Sequence, residues 1–248
     1  MNWNSENIIS SEDFFQRKNF PILKAGQLHV WSVSLDSNEE FIRNCKKFLS
    51  VPEIGRTDWF NFEDVKNNYI ISQGILRFLI SGYLNIDISE IQMQKHAKGK
   101  PYVSNDLALY FNISNSGKKC VFCFSRDSEV GIDLEMIRPL PDLEQMIEKN
   151  FTKKEVAYIS KIENEKLNRF FLFWTIKESY LKAIGEGMRL APDHLEFSIE
   201  EEIIKFIGAK GFDDPISWLF KKFELKHNHI GTIVYQKENS EMHLLTVN

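Results

Sequence analysis

Between Glu165 and Ile184 the chain places Phe170, Phe171, Phe173, Trp174, Tyr180 and Leu181 around most of the circumference of a helix. A helix apolar on nearly every side has to be covered by other elements, so it sits inside a layered domain rather than on its surface. Gly185-Glu186-Gly187 stops it, because glycine takes the left-handed cap conformation without penalty. Within this apolar helix stand Lys177, Glu178 and Lys182, and charge in such surroundings needs a partner or a task.

The chain has 248 residues, 43% of them hydrophobic with 20 Phe, which is ample material for a core, in one large domain or two small ones. Its net charge of −4 provides no global basic field, which argues against nonspecific nucleic-acid binding. The first residues have neither a basic nor an apolar leader, and no run reaches the roughly 20 apolar residues of a membrane span. A cytoplasmic protein without a membrane partner is expected. Three cysteines are an odd number for a disulfide framework. Cys120 and Cys123 lie three apart in a strand-like run, so their thiols face opposite sides and are expected to be buried and structural.

Alternation marks a strand over 28–35, and helical spacing marks 38–49 and a wide-faced helix from about 62 to 82. Gly99-Lys100-Pro101 reads as a turn. Strands follow near 109–114, 119–126 and 129–134, then helices over 142–149 and 153–162, with Thr152 and Glu155 spaced as a capping box. After the apolar helix come strands near 195–199, 203–207, 218–225, 230–235 and 243–247. This order predicts an α+β fold of two similar subdomains, 28–127 and 128–248, preceded by an extension over 1–27 of unknown role.

The chemistry concentrates in two motifs. Asp133 and Glu135, two apart on a strand, share a face roughly 7 Å apart; with no His or Cys nearby, they suit a hard, oxygen-seeking cation such as Mg²⁺ completed by substrate phosphates. D-x-E on a strand is otherwise often just a solvated face. Glu178 and Lys182 are one helical turn apart, with Lys177 about 100° round from Glu178. As a surface pair they would contribute only a few tenths of a kcal/mol; the apolar surroundings argue for more. Asn112 to Gly117 offers amides, hydroxyls and a glycine turn for an anion, and Lys98 and Lys100 add cations, although a plain polar turn accounts equally well for either.

In their order, Gly-Lys-Pro at 99–101, Phe-Asn-Ile-Ser-Asn-Ser-Gly at 111–117, Gly-Ile-Asp-Leu-Glu at 131–135 and Trp-Thr-Ile-Lys-Glu-Ser-Tyr-Leu-Lys at 174–182 resemble the 4′-phosphopantetheinyl transferases of the Sfp type, over roughly residues 28–235. The resemblance implies a pseudo-twofold, duplicated α+β monomer with its active site in the cleft between the halves. It implies transfer of the phosphopantetheine arm of coenzyme A to a serine of an acyl or peptidyl carrier protein, with release of adenosine 3′,5′-bisphosphate. Carried over by motif, Asp133, Glu135 and Glu178 would hold Mg²⁺, Glu178 would also take the serine proton, Lys182 would stabilise the leaving phosphate, and Glu155 would help position the site. Coenzyme A would meet Lys100, Pro101, Ser114, Asn115, Lys177, Lys182 and Arg56. The carrier would dock on Met146, Lys149, Phe151 and Lys153, beside Lys154.

Two positions depart from the family pattern. Asn115 stands where a histidine usually meets the 3′-phosphate of coenzyme A, and Asn68 or Asn67 where an arginine does; Arg56 and Lys66 are the nearby cations. Weaker 3′-phosphate recognition, with dephospho-coenzyme A accepted, is the expectation. A non-catalytic member of the fold that binds coenzyme A or a carrier, and a magnesium-dependent phosphohydrolase, are the competing readings.

Overall fold

Two long helices, each too apolar to stand alone, organise two sheets that meet along a polar seam. The computed structural model describes residues 8–16, 20–104, 108–187, 190–211, 216–236 and 241–247. In chain order the elements are β1 (Ile8–Ile9), α1 (Ser11–Phe14), β2 (Gln27–Ser34), α2 (Glu39–Lys46), α3 (Val51–Thr57), α4 (Glu63–Leu84), β3 (Met93–Lys95), β4 (Pro101–Val103), β5 (Tyr110–Ser116) and β6 (Lys119–Ser125). The second half continues with β7 (Gly131–Met136), α5 (Leu143–Asn150), α6 (Lys153–Ile159), α7 (Lys166–Ile184), β8 (Leu195–Glu200), β9 (Ile203–Ala209), β10 (Leu219–Leu225), β11 (His229–Tyr235) and β12 (Glu241–Val247).

The duplication expected from the sequence is visible in the topology. Each half runs strand, helices ending in a long one, a short two-stranded hairpin, then two more strands. In each, the first strand pairs antiparallel with the last, which pairs antiparallel with the middle one: β2–β6–β5 and β7–β11–β10. Ile71, Ile75 and Leu79 of α4 pack with Trp31, Phe111 and Phe122 of the first sheet. Phe173, Ile176 and Tyr180 of α7 pack with Ile230 and Val234 of the second. Between the sheets lies a third cluster that includes Leu28, Val30, Cys123, Ile132, Leu134 and Ile233.

The two ends of the chain depart from the expected division. β12 does not join the C-terminal sheet; it lies parallel to β2 in the first sheet, and β1 lies parallel to β12. A strand's partner is set by which edge is free, and the free edge of β2 takes the returning chain. The expected extension is likewise part of the first half where it is described: Phe14 is fully buried against Trp31 and Phe78. Residues 1–7 and 17–19 of that extension lie outside the described residues. Alternation does separate the thiols: Cys120 belongs to the first core and Cys123 to the cluster between the sheets, and burial pushes Cys123 up to about 12. Among the described residues no helix is long and apolar enough to cross a membrane.

Candidate active site

At the seam between the halves, side chains of β5 take the place of a backbone partner along one edge of β7. The N–H groups of Ile132, Leu134 and Met136 on β7 point away from β11 and donate to Asn112 Oδ1, Ser114 Oγ and Ser116 Oγ on β5, at 3.0, 3.3 and 3.0 Å. Period-2 alternation makes this possible, since 112, 114 and 116 share one face of β5. These three amides are thereby satisfied, where an orphaned one would cost about 1–3 kcal/mol.

The same seam fixes the acids. Ser114 Oγ lies 2.9 Å from Asp133 Oδ1 and Ser116 Oγ 2.7 Å from Glu135 Oε2. From α7, Lys182 Nζ reaches Asp133 Oδ1 at 2.6 Å, Ser114 Oγ at 2.9 Å and the Ile132 carbonyl at 3.3 Å. Helix and strand come this close because residue 131 is glycine: a Cβ there would collide with the Ser179 carbonyl. Thr175 and Thr232 hydroxyls, 3.0 Å apart, extend the contact between α7 and β11.

This cluster is short of positive charge. Asp133 Oδ2 is buried without a hydrogen-bond partner. Burial raises the Glu178 carboxyl above the usual range, and the charge of Asp133 raises it further against the pull of Lys182. Glu135 is also raised, by burial first, while the Ser116 hydroxyl opposes the shift. Two carboxyls whose ionisation burial and neighbouring negative charge disfavour, beside a third with a bare oxygen, suit a hard cation. Among the described residues no three acidic, His or Cys side chains converge into a ready-made cage.

Other expected contacts fall elsewhere. Lys177 points into the core of the second half, its side chain 1% exposed, with Nζ 2.6 Å from Glu155 Oε2 and 2.8–3.1 Å from the carbonyls of Pro192, Leu195 and Asn150. Glu155 is equally enclosed: it forms the expected capping box with Thr152 and accepts from Phe197 N. Neither faces the acids, so the roles of Lys177 toward coenzyme A and of Glu155 in catalysis are corrected to a structural pair. Phe151 is core as well, packed on Phe170 and Phe173, which removes it from a docking surface. Met146 is half-buried, whereas Lys149 and Lys153 are exposed.

Ser114 has no hydroxyl left for a ligand, given its contacts with Asp133, Leu134 and Lys182. Lys100 Nζ is held by the carbonyls of Val130 and Ala183, at 3.0 and 2.9 Å, and by Glu129 at 2.5 Å. It braces the halves one residue beyond Lys182. Its stem lines a cavity of about 490 Å³ together with His96, Lys98, Ala183, Gly185 and Trp218. Pro101 opens β4, half-buried, while Asn115 is exposed and alternates away from the seam. Arg56 is exposed on α3 with its guanidinium 5.4 Å from the Tyr69 ring. The sequence reading offers Ser116 only as one hydroxyl of an anion-binding stretch and gives it no role toward the acids; the signal that marks that role is the polar alternation Asn112, Ser114, Ser116 within a strand.

Residues 129–234 match the 4′-phosphopantetheinyl transferase superfamily, and residues 36–126 match the N-terminal region of 4′-phosphopantetheinyl transferases. The chain is 31% identical over 170 residues to the 4′-phosphopantetheinyl transferase HetI of Nostoc sp., covering 67% of this chain and 72% of that one. The chain belongs to the 4′-phosphopantetheinyl transferase family. It is also 36% identical over 154 residues to the 4′-phosphopantetheinyl transferase gsp of Aneurinibacillus migulanus, covering 60% of this chain and 63% of that one. With the human L-aminoadipate-semialdehyde dehydrogenase-phosphopantetheinyl transferase it shares 27% identity over 191 residues, 68% of this chain and 61% of the other. The chain thus spans less than two thirds of the length of these last two relatives. In this transferase Asp133 and Glu135 stand at the seam between the halves, bonded to Ser114 and Ser116.

Proposed function

We propose that this transferase moves the 4′-phosphopantetheine arm of coenzyme A to a serine hydroxyl of an acyl or peptidyl carrier protein and releases adenosine 3′,5′-bisphosphate. The observation that carries the reading is the bare Asp133 Oδ2 beside Glu135, Glu178 and Lys182 at the junction of the halves. Asp133, Glu135 and Glu178 would hold Mg²⁺, which when bound supplies charge neutralisation for the pyrophosphate. The serine oxygen attacks the β-phosphorus, the bond to the bridging oxygen breaks, and the serine proton passes to Glu178. A carboxyl whose proton affinity burial has raised is the better base for this. Lys182 provides a fixed cation where charge grows on the leaving phosphate. The cavity beside Lys100 has room for part of coenzyme A.

The test is intact-mass spectrometry of apo acyl and apo peptidyl carrier proteins after incubation with the enzyme, Mg²⁺ and coenzyme A. A gain of one phosphopantetheine on either is the expected result. No gain, with coenzyme A bound, favours a non-catalytic member; adenosine bisphosphate released without any carrier favours a phosphohydrolase.

Carrier docking on the exposed Lys149 and Lys153 of α5 and α6 would pair them with an acidic carrier surface. Replacing both with Glu is expected to raise the carrier KM about tenfold with kcat little changed, since charges at a rim act chiefly on encounter. An unchanged KM in steady-state assays would move the docking face elsewhere.

A further inference from the structure

The two serines of the seam make the same arrangement two residues apart, and only Ser114 is given a ligand by the sequence motif. Ser116 Oγ accepts from Met136 N at 3.0 Å and lies 2.7 Å from Glu135 Oε2. A hydroxyl has one proton, and an amide N–H already occupies a lone pair, so that proton goes to the carboxylate. Asn112, the third rung, bonds Ile132 N and, among the described residues, hydrogen-bonds no acid.

Ser116 is itself held in place. Its carbonyl accepts from His229 Nε2 at 3.1 Å, and His229 lies on β11 directly opposite Met136. The turn that follows uses Gly117 at φ +57°, where a Cβ would stand 2.9 Å from Met136 Sδ and 3.2 Å from His229 Nε2. Ser116 is therefore anchored by β7 and β11 of the second half before its hydroxyl reaches Glu135. Arg138, at 3.7 Å from the same Oε2 and half-exposed, is a looser second contact.

We propose that Ser116 is a positioning residue of the transferase: by fixing Oε2 of Glu135, a first-half side chain orients a second-half carboxylate toward the cation. The inference rests on the reading that Glu135 holds Mg²⁺. It makes the junction of the halves part of the metal site and not only a packing contact. Partners that orient a metal-binding carboxylate contribute about 10–100-fold to metal affinity.

The test measures Mn²⁺ binding by electron paramagnetic resonance, in the presence of coenzyme A and without carrier, alongside thermal unfolding. Ser116→Ala is expected to weaken Mn²⁺ binding about tenfold, and Ser116→Thr to restore it. Asn112→Ala, which cuts a seam bond of the same kind, is expected to lower the melting temperature comparably while leaving Mn²⁺ affinity unchanged. Should Ser116→Ala not fold, Ser116→Cys, a weak donor of similar shape, is read in its place. Mn²⁺ affinity unchanged in the serine variant, or reduced equally by Asn112→Ala, overturns the inference. A wild-type protein that binds no Mn²⁺ with coenzyme A overturns the metal reading and this one together.

Discussion

Glu178→Gln is expected to reduce carrier loading by about 10³-fold, the middle of the range for removing a positioned general base. The amide keeps the size of the side chain and loses its charge, so coenzyme A binding, followed by calorimetry, should persist. The same substitution should raise the stability of the metal-free protein at pH 7. Burial and the charge of Asp133 raise the Glu178 carboxyl in the folded state; folded protein therefore holds that proton more tightly than unfolded protein does. Such a group costs nothing below the unfolded carboxyl pKa, and its destabilisation builds as pH rises through the folded one. The advantage of the Gln variant should thus be largest near neutrality and vanish toward the ordinary carboxylate range. His29, held neutral down to about pH 4 by burial, titrates in both proteins and cancels in the comparison. Urea unfolding in EDTA from pH 4 to 7.5 measures the difference. A variant with near wild-type loading would remove Glu178 as the base, and a stability difference independent of pH would mean that the carboxylate is not strained.

What was legible in the sequence was local. The end of α7 at Gly185, with φ +71°, the capping box of α6 and the alternation of β5, β6 and β7 follow from residues adjacent in the chain. The position of α3 was missed, because Val51, Ile54 and Gly55 give no helical stripe over so short a run. The β3–β4 hairpin was read only as a turn, since three-residue strands carry too little alternation. The placement of β12 depends on which sheet edge is free, a property of the assembled halves. The acids were legible as a motif. Their anchoring by Ser114 and Ser116 was not, because it joins strands whose meeting no local pattern encodes. Lys177 shows the opposite failure: the family motif carried it into the site, although it stands about 100° round the helix from Glu178. Only the packing of α6 and of residues 192–195 decides that its ammonium is enclosed.

Lys177→Met should act on stability and leave coenzyme A recognition alone. The ammonium sits 2.6 Å from Glu155 Oε2, 4.8 Å from the centre of the Phe151 ring and within 3.1 Å of three backbone carbonyls. Glu155 in turn accepts from Thr152 N at 2.8 Å and from Phe197 N at 2.9 Å. One pair therefore ties the start of α6, the middle of α7 and the start of β8. Methionine fills the stem's volume but leaves a buried carboxylate opposed only by two amides. Breaking such a pair from one side costs about 3–5 kcal/mol, which for a chain of this size is a fall in melting temperature on the order of 10 °C. Adding Glu155→Gln should recover part of the loss, because an uncharged side chain can still accept from Thr152 and Phe197 and no unpaired charge remains. Calorimetry of the two variants measures both steps, and steady-state loading below the transition measures the coenzyme A KM, expected within about twofold of wild type because the lysine has no face toward the acids. A stable Lys177→Met protein with a coenzyme A KM raised tenfold would return Lys177 to the binding site.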